Sequence, residues 1–206
     1  MNEIITHLDD PEEQIRQKVL SILAQLNPET PGGLTEKLND LLNDDPSIAV
    51  QMQAAIALAK SGGAEKVLAK LIGWFGSQNA ETRISALMTV KATAPYLTIP
   101  FDLDPLLNAL EDSSAPIRRA AVNAIASLKD ASVINALIGH MNDPDESVRT
   151  ATAGALRQRG DESRDLVLQI FDTDNPAVDS ALDALASDNL ESLAPLRQFA
   201  QREISH

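Results

Sequence analysis

Chemistry needs a cluster of reactive side chains, and this chain offers few. Its only histidines are His7, His140 and His206, and it contains no cysteine. Thiolate nucleophiles, zinc–thiolate sites and disulfides are excluded together. No His-Glu dipeptide occurs, so there is no H-E-x-x-H metal helix. Carboxylates are plentiful but gather in turns: Asp9 and Asp10 with Glu12 and Glu13, Asp44 with Asp45, Asp143 with Asp145 and Glu146. Helix caps and the helix dipole account for negative charge there. None of these runs alternates ligands around a Gly turn, as a calcium loop would. Gly32-Gly33 and Gly62-Gly63 match neither a phosphate loop nor a dinucleotide fingerprint, and helix termination explains them better. The sequence predicts no catalytic residue, no metal site and no cofactor.

Two of the histidines sit in a phrase that occurs twice. Residues 4–16 read IITHLDDPEEQIR and residues 137–149 read LIGHMNDPDESVR. They align without a gap, so His7, Asp10, Pro11, Glu13 and Arg16 fall on His140, Asp143, Pro144, Glu146 and Arg149. Self-similarity of this kind marks a repeat architecture. The same column holds Leu42, Trp74, Ala109 and Ile170 in the other copies, which makes it a half-buried packing position. At roughly 10 Å per helix layer, His7 and His140 are too far apart to share a metal.

The elements that position these residues are helical. Six anchors, Ile15, Val50, Thr82, Ile117, Val148 and Val178, recur every 30–35 residues, often with Arg next. Mostly small or aliphatic residues follow at +3, +4, +7 and +8, which places one apolar stripe on a helix face. Ile117, Ala120, Ala121, Ala124 and Ile125 show it well; Thr82 and Asp179 weaken the third and sixth copies. Asp10-Pro11, Asp45-Pro46, Asp143-Pro144 and Asn175-Pro176 start their helices. A second helix precedes each turn, over 33–43, 64–76, 104–111, 131–142 and 163–171. The fold class is therefore all-α: a right-handed α-solenoid, or superhelix, of about six helix–turn–helix repeats forming one domain over 1–206.

The pattern D-P-x-x-x-V-R-x-A-x-x-x-A-L from Asp143 to Leu156 resembles HEAT repeats. The short period resembles the HEAT-like repeats of phycobilisome lyase-type proteins. The resemblance covers essentially the whole chain. It implies that the anchor helices line a concave face and that Asp and Arg at the turns form a stacking ladder. Asp10 with Arg16 and Asp143 with Arg149 match that pattern, and Arg83 and Arg118 occupy the same Arg slot. Gln51 and Asp179 depart from it, so the ladder is expected to be interrupted there. Arg118 and Arg149 are expected to serve this ladder rather than hold an anion.

Two places break the rhythm. Three prolines between Ala94 and Pro105 predict an extended connection. Residues 189–204 form an amphipathic capping helix, with Pro195 able to kink it. The first helix, residues 2–8, is about half as long as most of its counterparts, so that end either frays or is covered by another chain.

The net charge of -13, from 17 Lys and Arg against 30 Asp and Glu, repels a phosphate backbone and favours basic or apolar partners. The opening residues MNEIITHLDD lack the basic and apolar regions of a signal peptide, no apolar run approaches the roughly 18 residues of a membrane span, and the expected location is cytoplasmic. The sequence predicts a non-enzymatic protein–protein interaction module or scaffold that binds its partner on the concave helical face. The alternative, implied by the resemblance, is a phycobilin lyase-type or chaperone-like subunit acting on a pigment-bearing protein. Candidate contacts are the residues that escape the stripe. Positions +2 and +6 give Met52, Ile56, Ile84 and Met88, joined by Leu87 at +5, with Arg119 and Arg157 towards one end. These apolar residues either form an exposed patch or are buried where the anchor helices pack sideways. Trp74, Tyr96 and Phe101 are a second candidate set, which either meets a partner or covers the junction made by the long loop.

Overall fold

Helix starts in this chain are made by polar side chains that cap free backbone N–H groups, and the computed structural model shows them repeatedly. It describes residues 2–25, 33–97, 102–128, 132–140 and 143–159. Within these lie α1 (Asn2–Thr6), α2 (Glu13–Gln25), α3 (Leu34–Asp44), α4 (Ile48–Lys60) and α5 (Ala64–Phe75). Then follow α6 (Ala80–Thr93), α7 (Asp104–Leu110), α8 (Ala115–Ala126), α9 (Ser132–Gly139) and α10 (Glu146–Gln158). Ser47 accepts from the Val50 N–H, Asn79 from the Glu81 N–H, and Asp145 from the Ser147 N–H. Each satisfies a donor that the first helical turn leaves open.

The chain divides into two units, Met1–Ala109 and Leu110–His206. In the first, the anchor helices α2, α4 and α6 pack in succession, and α3 packs on α5 as a second layer. The hairpins α3–α4 and α5–α6 join the two layers. In the second unit α8 packs on α10, with α9 against both. The fold is the all-α repeat solenoid expected from the 30–35-residue period. The second helices begin and end within a few residues of their expected bounds. The expected first helix ends earlier: α1 stops at Thr6, and a single 3-10 turn covers His7–Asp9. Helix 163–171, the sixth repeat around Val178 and Asp179, and the capping helix 189–204 lie outside the described residues.

The core is the anchor stripe plus the inner faces of the second helices. Val50, Ala54 and Leu58 are each 0% exposed, as are Ile117, Ala121 and Ile125. Leu34, Leu38, Leu42, Val67 and Leu71, on the second helices of the first unit, are buried too. Burying such side chains contributes about 1.5–3 kcal/mol each. The stripe is wider than its sequence pattern. Position +5, assigned above to the open face, is buried in every described copy: Leu20, Ala55, Leu87, Val122 and Ala153. The +5 residues are buried because neighbouring anchor helices pack side by side, so Leu87 is core rather than patch. The weak third copy is rescued by its threonines. Thr89 and Thr93 are fully buried, and their hydroxyls donate to the Ser85 and Thr89 carbonyls at 2.8 and 2.7 Å. Back-bonding of this kind lets a polar residue occupy an apolar position.

Of the two glycine pairs, Gly62-Gly63 ends a helix as expected. The Gly63 N–H donates to the Leu58 carbonyl and the Gly62 N–H to that of Ala59, the two bonds of a Schellman ending. Gly62 takes φ +89° in open space, while a Cβ on Gly63 would lie 2.6 Å from the Leu58 side chain. Gly33 instead precedes a helix, capping α3 with φ +89°. Gly62→Ala is expected to cost about 1 kcal/mol, the penalty for a side chain in the left-handed region. Chemical denaturation would show it as a lower midpoint with an unchanged slope.

Candidate protein-binding surface

Every described turn is closed by the side chain that follows its anchor. Arg16 Nη1 donates to the Asp10 and Pro11 carbonyls, at 2.8 and 3.1 Å. Arg83 does the same to Ser77 and Gln78, Arg118 to Asp112 and Ser113, and Arg149 to Asp143 and Pro144. Gln51, the departure from the Arg slot, still donates to the Asp45 carbonyl at 2.6 Å. Within each turn the residue six before this side chain accepts a backbone N–H through its own side chain. Asp10, Asp45, Ser77, Asp112 and Asp143 accept from Glu12, Ser47, Asn79, Ser114 and Asp145.

The ladder runs forwards from one repeat to the next. Arg16 reaches Asp45 through Nε and Nη2 at 2.8 and 2.9 Å, and Arg118 reaches Asp143 in the same way at 2.7 and 2.8 Å. The Asp10–Arg16 and Asp143–Arg149 matches are therefore bonds to a backbone carbonyl, and for Arg16 and Arg118 the carboxylate partner lies one turn on. These bidentate pairs are well shielded: the Asp45 and Asp143 side chains are each 3% exposed. The hydrogen bond from Arg118 holds the Asp143 carboxyl below its ordinary value against the opposing cost of burial. The Asp145 N–H and the charges of Arg118 and His140 add to that lowering. The carboxylates in turn raise Arg16 and Arg118, chiefly through the same hydrogen bonds. Gln51 interrupts the ladder, as expected; Asp179 lies outside the described residues.

At their other ends the helices are tied by cations. Lys60 Nζ donates to the Ala24 carbonyl at the end of α2 and stands 5.6 Å from the Tyr96 ring centroid. Arg159 donates to the Leu128 carbonyl after α8. Such cations satisfy terminal carbonyls and oppose the helix dipole.

Between these two edges lies the outward face of α4 and α6. Met52 and Ile56 on α4 and Ile84 on α6 are half-buried, and Met88 on α6 is 55% exposed. The two helices pack directly on each other, so these four residues share one face. In the neighbouring copy the matching positions are Gln17 and Ser21 on α2. Arg119 on α8 and Arg157 on α10 belong to the second unit, and both are exposed. Trp74 is 6% exposed, with Lys70 Nζ 6.0 Å from its ring centroid, so its indole is packed inside the first unit. Tyr96 is half-buried beneath Lys60, and Phe101 lies outside the described residues. Ile72, 66% exposed on α5, was not singled out by the repeat columns, because it sits on an outer helix they do not cover.

The shared histidine column separates in the structure. His7 is exposed, whereas His140 is half-buried, with Nδ1 2.8 Å from the Ala136 carbonyl and Nε2 3.3 Å from Glu111. Leu42 and Trp74 fill the same column in the core. Among the described residues no group of His, Asp and Glu could hold a metal ion. No helix among them is long and apolar enough to cross a membrane.

A family model described as HEAT repeats matches residues 1–91 and 103–186. The chain belongs to the HEAT-repeat family. No curated protein matches it. Among solved structures, this HEAT-repeat chain is similar to YibA of E. coli, with 16% identity and a TM-score of 0.54 over 98% of this chain and 74% of that one. A designed armadillo repeat protein is similar with 21% identity and a TM-score of 0.48, over 89% and 98%. The likeness to YibA bears on the fold alone.

The lowered Asp143 fixes the sign of an acid response. A carboxyl with a folded pKa below its unfolded value of about 3.9 contributes stability above that value. The contribution is lost as pH falls through the folded value. Asp143→Asn is expected to cost about 2 kcal/mol at pH 6, from losing a charge-assisted bidentate pair. It should also flatten the decline in stability below pH 4, which denaturant titrations across that range would read.

Proposed function

We propose that this HEAT-repeat chain is a non-enzymatic protein-interaction module, a single repeat domain over 1–206, whose partner seats on the concave face lined by the anchor helices. The observation that carries this is the cluster of Met52, Ile56, Ile84 and Met88 on adjacent helices, with Met88 more than half exposed. Flexible Met side chains among aliphatic neighbours suit recognition of an apolar surface. The overall charge of -13 favours a partner whose surroundings are basic and opposes nucleic acid. The absence of cysteine supports a cytoplasmic setting. Arg119 and Arg157 are proposed as additional contacts on the second unit.

A photo-crosslinking residue placed at position 88 is expected to capture a defined protein partner. The same residue at position 72 on α5 should capture none. Capture from position 72 alone, or equally from both, would overturn the assignment. Met88→Asp is expected to abolish the capture partner's binding while changing stability by less than about 0.5 kcal/mol, as for other surface substitutions. Trp74→Ala should instead destabilise the first unit by about 3 kcal/mol, the cost of truncating a buried aromatic. An absorbance shift on mixing the protein with a linear tetrapyrrole would move the conclusion to a phycobilin lyase-type or chaperone-like subunit.

A further inference from the structure

Among the described residues the ladder lacks the rung between the second and third repeats, and both of its partners are missing together. The Arg slot of the second repeat holds Gln51, and the Asp slot of the third turn holds Ser77. Each keeps its local task. Gln51 donates to its own turn at Asp45, and the Ser77 hydroxyl accepts the Asn79 N–H at 3.2 Å. What is gone is the bond between repeats: Gln51 makes no contact with Ser77 of the kind that joins Arg16 to Asp45 or Arg118 to Asp143. Buried charge pairs contribute little net stability, and their best-attested use is to fix register. A Gln and a Ser here preserve each turn while releasing the register between the two.

The opposite edge of the same joint is held. Lys60, at the last turn of α4, stands over the Tyr96 ring just beyond α6, and also binds the end of α2. The joint is thus pinned at the C-terminal ends of its helices and unclamped at their N-terminal ends. The +2 pair, Met52 and Ile84, lies nearer the unclamped edge than the +6 pair, Ile56 and Met88.

We infer that the α4–α6 joint is a hinge built into the first unit, pivoting near Lys60 and Tyr96 and opening at Gln51 and Ser77. Opening would spread Met52 from Ile84 and change the width of the apolar face. The hinge rests on the paired substitution and the one-sided clamp, and it stands whether or not a partner uses that face.

The cysteine-free chain allows direct measurement with pairs of spin labels. Pro11→Cys with Pro46→Cys spans the clamped α2–α4 joint, and Pro46→Cys with Gln78→Cys spans the unclamped one. These residues are exposed and occupy equivalent places in their turns. The second pair is expected to give the broader distance distribution. Adding Gln51→Arg and Ser77→Asp, which supplies both halves of the missing rung, should narrow it to the width of the first. Equal widths in the parent background would overturn the hinge, as would a broad distribution that the restored rung leaves unchanged. Hydrogen exchange on the unmodified protein is an independent arm. Amides of α6 should open as a group apart from those of α2 and α4, and exchange of all three as one unit would overturn the hinge. Loss of partner capture at position 88 leaves these readouts untouched, so the two proposals fail separately.

Discussion

The register between neighbouring repeats depends, at Arg16 and at Arg118, on one planar cation. Arginine offers donors in a fixed fork, and here the fork is divided. One arm turns back to two carbonyls of its own turn, and the other two nitrogens go forward to the next turn's carboxylate. The first task stops the backbone of a tight turn from leaving acceptors unpaired. The second converts a pile of hairpins into a stack with a defined offset. Lysine could not do both, because a single ammonium cannot chelate a carboxylate and close a turn in one plane. Glutamine can do the first alone, which is why the second repeat keeps its turn while losing its clamp.

The apolar interior and the ladder divide the labour differently. Alanine and leucine in the stripe supply most of the favourable burial, and small residues allow neighbouring anchor helices to approach closely. That close approach buries the +5 column, while +2 and +6 on α4 and α6 keep some exposure. In the first unit the turn side chains at one edge and the Lys60 tie at the other then bound the open strip. A face framed this way presents aliphatic and Met side chains between two polar margins, the arrangement expected of a recognition surface.

Much of this was legible from residue spacing. The repeat length and the helix–turn–helix unit follow from aligning the copies, the interruption at Gln51 from the resemblance to HEAT repeats, while the histidine column is packed at Leu42 and Trp74 but exposed at His7. The apolar character of Met52, Ile56, Ile84 and Met88 stood out because the same positions are polar elsewhere. Two features were left open or missed for physical reasons. Leu87 stood between the open face and lateral burial, because a single helix wheel does not say which neighbours close over it. Ser77 escaped notice because its role is defined by a residue six positions later and by an Arg slot one repeat earlier. Aligning the turns backwards from Arg16, Gln51, Arg83, Arg118 and Arg149 would have exposed it.

The sequence alone determined the class of structure, because periodicity and turn chemistry are local and are written at fixed offsets. It also determined that reactive clusters are scarce, because residue types can be counted. Only tertiary structure decided which carboxylate each arginine holds, since that pairing joins residues some 25–29 positions apart. It likewise decided that Trp74 is core, that Ile72 is surface, and that the missing rung lies at the turn-side edge of the apolar face. Those outcomes depend on which helices meet and at what lateral distance, a property of the packed stack that no single repeat contains.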